Sequence, residues 1–463
     1  MEQLKAKIEN AVTKVDLTKF SWGDLTEFAE LTQKKTMTFE KTNNMGVKEQ
    51  WEEEGTIWSD AIDAALEKYK TVSIPKMEET VFIDRPIIMK SGYRLKIDPE
   101  TTIGLAPETG TCMLRNEHLI NGHPTVPVLE NTDTDISVSG GIWVQGRVRG
   151  EADKEHSIPG SFGTLLFSNV KRVQVTDMTI CDGSSYGVQI SYVNDFYIEN
   201  IKYDNHHKDG VHINGIAEYG IVRNLSGFTG DDMVALNAWD WCSSATSFGA
   251  IRYLLVQNLE GHMNELRLLP GRKLHADGTT SDCPIEHCVF ENIKGIYNFK
   301  LYCQPNCHNV HTPGLNDCSL INGEINDVWF KNITFEKILH NGIADIDVDA
   351  LFELGADCDG VHISDVTVND NMGNLAFLTV GPKSVTWKYE PDYPDTWGEL
   401  FAPDMICTVK NLTIDRVNLN QDKAMIRVIH LAENPDYPNT TPKGGTGYGI
   451  LENGAIDGET FQY

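Results

Sequence analysis

The segments VQVTDMTI (173–180), FYIENIKY (196–203) and GIVRNLSG (220–227) repeat one template: apolar, any, apolar, any, then Asn or Asp, then apolar. The same template returns in LLVQNLEG (254–261), CVFENIKG (288–295), VWFKNITF (328–335), VHISDVTV (361–368) and CTVKNLTI (407–414). Alternation with a period of two is the pattern of a β-strand with one face turned inward. The recurrent Asn or Asp marks where each strand ends and bends, because these side chains tolerate left-handed backbone and bond nearby main chain or the same amide one coil away. The markers are Asp177, Asn200, Asn224, Asn258, Asn292, Asn332, Asp365 and Asn411. From Asp177 to Asn200 is 23 residues and from Asn200 to Asn224 is 24, after which two gaps lengthen to 34. A period in the low twenties is one coil of a parallel β-helix, and longer gaps are coils that carry loops. A leucine-rich repeat would need a leucine-dense consensus, which is missing.

A second strand set lies between the markers: GVQIS (187–191), GVHIN (210–214), MVALN (233–237), ELRLL (265–269) and NFKLY (298–302). Stacked as a sheet, equivalent positions would sit about 4.8 Å apart from coil to coil. The long insertions fall between Asn237 and Phe248, between Gly271 and Pro284, and between Cys303 and Asn326. Loops gathered on one flank of a solenoid usually form its binding face. Residues 56–69 have the spacing of a short amphipathic helix suited to cap the open end of the stack and hide its strand edges. The expected fold is therefore all-β: a single-stranded, right-handed parallel β-helix of the pectate lyase-like kind over residues 56–463. A capping helix would open it, and residues 1–55 would form an N-terminal extension.

Composition narrows the function classes. The chain has 463 residues, 40% hydrophobic and 23% charged, enough apolar material for a continuous core. Its 67 acidic residues against 39 Lys and Arg give a formal charge of −28, which makes nucleic acid and anionic membranes poor partners. No stretch reaches a membrane-spanning length, and the first 14 residues mix Lys and Glu without an apolar segment. The expectation is a soluble, cytoplasmic protein. Its ten cysteines are read as reduced thiols, with Cys181, Cys288 and Cys407 acting as small hydrophobes within apolar runs. CQPNCHNVH (303–311) holds Cys303, Cys307, His308 and His311, but its two tight pairs have no second half elsewhere, so no metal is expected there.

The position just before each strand of the second set is occupied in turn by Tyr186, Asp209, Asp232, Asn264 and Tyr297. Two carboxylates thus share a column on adjacent coils, and Asp231 stands beside the second. Their mutual repulsion is expected to raise at least one pKa and keep a proton available near neutrality, as acid-catalysed glycosidic cleavage requires. Aromatic residues beside the acids, Trp239, Trp241 and Tyr302, are candidate sugar platforms. His206, His207 and His212 cluster near Asp209; His212 lies on the strand and is expected to face the cleft, while His206 reads as a solvated loop residue.

On these motifs the sequence resembles the polygalacturonase-like glycoside hydrolases, the pectin-degrading parallel β-helix enzymes, over about 56–301. HKDGVHI (207–213) is similar to that family's Asn-Thr-Asp-Gly segment and TGDDMVAL (229–236) to its Asp-Asp segment. The resemblance implies that Asp231 is the general acid, that Asp209 and Asp232 activate the attacking water, and that the anomeric carbon inverts. It also implies a carbohydrate partner and no cofactor. Where the family has His-Gly this chain has Asn264 and Glu265, so a histidine would have to come from His262 or His207. Where the family has Arg-Ile-Lys, the chain has Lys300, Leu301 and Tyr302, with Arg267 one coil earlier in Lys300's column. The uronate-binding pattern is therefore altered, and a sugar other than plain polygalacturonate is expected. His207, His212, Trp239, Trp241, Asn264, Arg267, Lys300 and Tyr302 are the candidate substrate-binding residues. Two other readings remain open on the same fold. One is a polysaccharide or fructan lyase, with calcium on Asp231 and Asp232 and Arg267 or Lys300 as base. The other is a non-catalytic carbohydrate binder of the tailspike or adhesin sort.

Overall fold

The computed structural model describes residues 1–42, 48–107, 109, 112–123, 126–146, 163–183, 185–240, 246–274, 279–303, 322–339, 348–383, 386–389, 397–401, 405–430 and 447–461. The repeat segments stack as a right-handed parallel β-helix. Strands Leu165–Cys181, Val188–His206, Val211–Thr229, Ile251–Leu269 and Ile285–Tyr302 run parallel, each bonded to the next. Glu324–Phe335 and Asp357–Val368 continue the stack.

All eight marker residues adopt positive φ, between 52° and 60°. They bend the chain without ending the strand, so that a run such as Val188–His206 passes through two or more faces of one coil. The amides also bond along the stack. Asn200 Nδ2 donates to Asp177 (2.7 Å), Asn224 to Asn200 (2.9 Å), Asn258 to Asn224 (2.9 Å), Asn292 to Asn258 (3.0 Å) and Asn332 to Asn292 (2.7 Å). Each carboxamide donates to one neighbour and accepts from the other, which only a side chain carrying both functions can do.

Alternate residues of the second strand set point into the apolar core: Val211 and Ile213, Val234 and Leu236, Leu266 and Leu268, Phe299 and Leu301, Phe352 and Leu354. Full burial of such a side chain contributes about 1.5–3 kcal/mol, so the stack is held mainly by this column of hydrocarbon. Cys288 and Cys407 are buried within it, while Cys181 is half-buried. Burial pushes the Cys288 thiol up to about 12, and Cys181 to about 11.

The capping helix spans Ser59–Tyr69 and buries Ala61, Ile62, Ala65 and Leu66 against the first coil. Lys70, in left-handed conformation, closes it with an N–H bond to the Leu66 carbonyl. At the far end, Gly454–Ile456 pairs antiparallel with Glu459–Phe461, so the last edge folds back on itself. The first 55 residues are built onto the solenoid. Gly23 and Asp24 pair with Val72 and Ser73, and Gln33–Thr42 forms a hairpin with Lys48–Ile57. Before these, helix Glu2–Ala11 lays Ile8 on Tyr197, Ile221, Leu255 and Val289, one residue from each of four successive coils. The helix and its continuation are pinned by Lys5 to Glu291 (2.8 Å), Thr13 to Asp195 (2.7 Å), Lys14 to Glu199 (2.6 Å) and Val15 N–H to Gln174 (2.7 Å). Among the described residues, no helix is long and apolar enough to cross a membrane.

Candidate active site

On the outer side of the second strand set, opposite the apolar core, register aligns Gln189, His212, Ala235, Arg267, Lys300, Glu353 and Thr379 in one column. Beside it runs the acid column. Gly187 N–H donates to the Asp209 carbonyl and Gly210 N–H to the Asp232 carbonyl, each at 2.9 Å, which sets Asp209 and Asp232 on adjacent coils. Gly210 allows this approach: a Cβ there would lie 2.7 Å from the Met233 carbonyl oxygen and 2.8 Å from the Tyr203 ring. Asp209, Asp231 and Asp232 offer carboxylate oxygens within 4.8 Å of one another.

Three acids this close need cations, and two supply them. Arg267 places Nε 2.9 Å from Asp232 and Nη2 3.2 Å from Asp231. His212 lies between two carboxylates, Nδ1 2.6 Å from Asp209 and Nε2 3.0 Å from Asp240, with Tyr186 stacked on its ring at 3.7 Å. Burial opposes charge on His212, but its bonds to Asp209 and Asp240 prevail and push its pKa up to about 9. The histidine is therefore an imidazolium at neutral pH, donating from both nitrogens.

Burial, followed by the neighbouring Asp231 carboxylate, raises the pKa of Asp209. Burial also raises Asp232 well above the usual carboxylate range, although the Arg267 guanidinium opposes it. Desolvation therefore leads, where the sequence pointed to like-charge repulsion. Arg267 meanwhile is held charged, against its own burial, by Asp232 and Asp231. The opposite tendencies of Asp232 and Arg267 are reconciled if the trio shares one proton, since it then still presents two negative charges to Arg267 and His212. Asp232 is completely buried, with Arg267 Nε facing its Oδ2 at 2.9 Å.

Several expectations change. A bulge after Asp232 pairs it with Glu265, so Glu265, and not Asn264, continues the acid column. Asn264 is buried and spends its amide on Thr229 (2.5 Å) and the His262 N–H, while Thr229 bonds the Asp231 carbonyl (2.9 Å). It therefore braces the Gly-Asp-Asp turn. His206 is fully buried, not solvated: its Nε2 donates to the Asp209 carbonyl at 2.9 Å, and burial lowers its pKa to about 4. His262 is exposed and His207 half-buried, with the His207 backbone packed against Gly230 of the Gly-Asp-Asp turn. Trp239 is buried in the core against Phe248 and Gly271, which removes it as a sugar platform. Trp241, Cys307, His308 and His311 lie outside the described residues. Lys300 is 1% exposed and paired with Glu265, which Tyr297 also bonds. Tyr302 is buried beside it, its phenol held protonated chiefly by burial.

Asp240 was not singled out by the sequence, and Tyr186 and Glu265 were placed in the repeat without a role at the site. Asp240 carried no repeat signal, and Glu265 was hidden by the one-residue bulge. A groove of about 450 Å³ lies elsewhere, where Lys14 to Leu17 cross Gln174 and Glu199.

No protein-family model matches this sequence, and no curated protein matches it. Solved structures do. The hyperthermoactive exopolygalacturonase from Thermotoga maritima is similar with a TM-score of 0.53 at 12% identity, over 99% of this chain and 97% of that one. The family 28 exopolygalacturonase of Yersinia enterocolitica has a TM-score of 0.49 at 11% identity, over 91% and 83%. The tailspike of E. coli bacteriophage HK620, as a double mutant, has 0.48 at 13%, over 90% and 69%. These likenesses show the fold alone. Function therefore has to be argued from the site.

Proposed function

We propose that the protein is an inverting glycoside hydrolase acting on a pectin-related or similar oligosaccharide. The observation that carries this reading is the gathering of Asp209, Asp231 and Asp232 within 4.8 Å on adjacent coils, charged and braced by His212 and Arg267. Asp231 keeps 12% of its side chain exposed, whereas Asp232 is sealed and Asp209 nearly so. Asp231 is therefore the acid able to reach a glycosidic oxygen and protonate it. Asp209 and Asp232 hold water and take its proton as its oxygen bonds the anomeric carbon. The leaving sugar departs with Asp231's proton and the water adds from the opposite face. The spacing is tighter than the roughly 6.5–9.5 Å typical of inverting pairs, which makes the anomeric form of the product a direct test.

Arg267 argues against a calcium lyase. Its guanidinium already lies against Asp231 and Asp232, where calcium would bind, and it is too firmly charged to act as a base. Lys300, the other candidate base, is ion-paired with Glu265.

Role assignment is tested with leaving groups. Asp231→Asn should lose turnover of natural oligosaccharides yet retain it on nitrophenyl glycosides, whose leaving group needs no proton. Asp209→Asn should lose both. The opposite pattern would exchange the roles, and an unsaturated product from the wild type would replace hydrolysis by elimination.

A further inference from the structure

Among the described residues, the three buried cations beside the aspartates are each held by carboxylates, and Lys208, further out, lies 6.0 Å over the Tyr186 ring. Arg267 faces Asp231, Asp232 and, at 3.8 Å, Glu265. Lys300 Nζ bonds Glu265, whose second oxygen accepts from Tyr297. His212 is shared by Asp209 and Asp240. Five carboxylates thus surround three cations, and one shared proton still leaves the group without positive excess. The next coil adds no surplus: Glu353, Lys300's register partner, and Asp349 hold Lys383 at 2.7 and 3.4 Å. Glu265 and Lys300 are both about 1% exposed, so bulk solvent cannot screen the group there.

Building on the hydrolase reading above, we propose that the subsite beside the aspartates takes a neutral glycosyl unit and excludes uronates, and that Glu265 is the specificity-determining residue because it holds Lys300. A carboxylate at C6 of a sugar would approach a net-acidic group whose buried cations, among the described residues, are already paired. A hydroxymethyl group would enter it with no charge to compensate.

The test uses trisaccharides of galactose and of glucose, each beside its C6-oxidised uronate counterpart. Binding is read by calorimetry and hydrolysis by product mass. The wild-type chain should bind the neutral member of at least one pair about tenfold or more tightly than its uronate partner. Glu265→Gln, which frees Lys300, should cut that preference about tenfold, and adding Lys300→Met should restore it. The paired probes differ only in charge, so loss of fold or shape cannot imitate this pattern. If Glu265→Gln does not fold, the wild-type comparison decides alone. Equal or tighter binding of the uronates, or binding of no probe, would overturn the proposal. Neutral preference without cleavage would leave it standing while the hydrolase reading fell, and cleavage of uronates would do the reverse.

Discussion

Two columns of stacked side chains run along this solenoid, and the same coil-to-coil register has opposite consequences in them. In the exposed column Asn200, Asn224, Asn258, Asn292 and Asn332 repeat one amide, and the amide is its own complement. In the buried column Asp209, Asp232 and Glu265 repeat a carboxylate, which can only accept, so each member depends on a cation drawn from elsewhere. Stacking multiplies whatever chemistry it is given. Repetition of a self-complementary group builds a staple, and repetition of a like charge builds a reactive, costly site.

The largest break in this contrast should come from Asp231→Asn, which makes part of the acid group resemble the amide ladder. Turnover of natural oligosaccharide should fall by about 10²–10⁴-fold, while the thermal midpoint holds or rises because a like charge is removed. Next, Arg267→Met strips the cation from Asp231 and Asp232 and should destabilise by about 3–5 kcal/mol, measured by denaturant unfolding. Part of that loss should return in an Asp232→Asn background. Changing Asn258→Ala should cost only about 1 kcal/mol for its hydrogen bonds and about 1–2 for a left-handed alanine. Asn258→Gly spares the backbone and isolates the amide share.

Protonation separates the columns further. His212 has its folded pKa raised to about 9, above the ordinary value of about 6.5, so its contribution is complete below pH 6.5 and is lost as pH climbs through 9. That contribution is on the order of 3 kcal/mol. His206 is depressed to about 4, so the unfolded chain takes its proton first and stability falls as pH drops from 6.5 toward 4. Melting temperature against pH should therefore peak between the two limbs. His212→Gln should flatten the alkaline limb alone; an unchanged limb would assign the loss to other groups.

Most of the architecture was legible because it is written in periodic residues. The Asn and Asp markers recur at fixed template positions, and each adopts the left-handed backbone its side chain allows. The adjacency of Asp209 and Asp232 was likewise readable from a spacing of 23 residues. What could not be read was local. A single bulged residue moved Glu265 into the column in place of Asn264, and nothing in ELRLL announces it. Trp239 looked like a platform because it follows Gly-Asp-Asp, but the chain after Asn237 turns its indole into the core. The ionic partners of Arg267 and Lys300 depend on rotamers, and rotamers leave no periodic trace.

The segment from Glu2 to Val15 lies across successive coils, with anchors at Glu291, Glu199, Asp195 and Gln174. In an ordinary repeat array each unit feels only its neighbours and can fray or open by itself. A splint fastened to distant units couples their fates. The rungs that carry the acids should therefore exchange their amide hydrogens together, as one cooperative block, and the machinery at the middle of the spool is kept in alignment by the opening residues of the same thread.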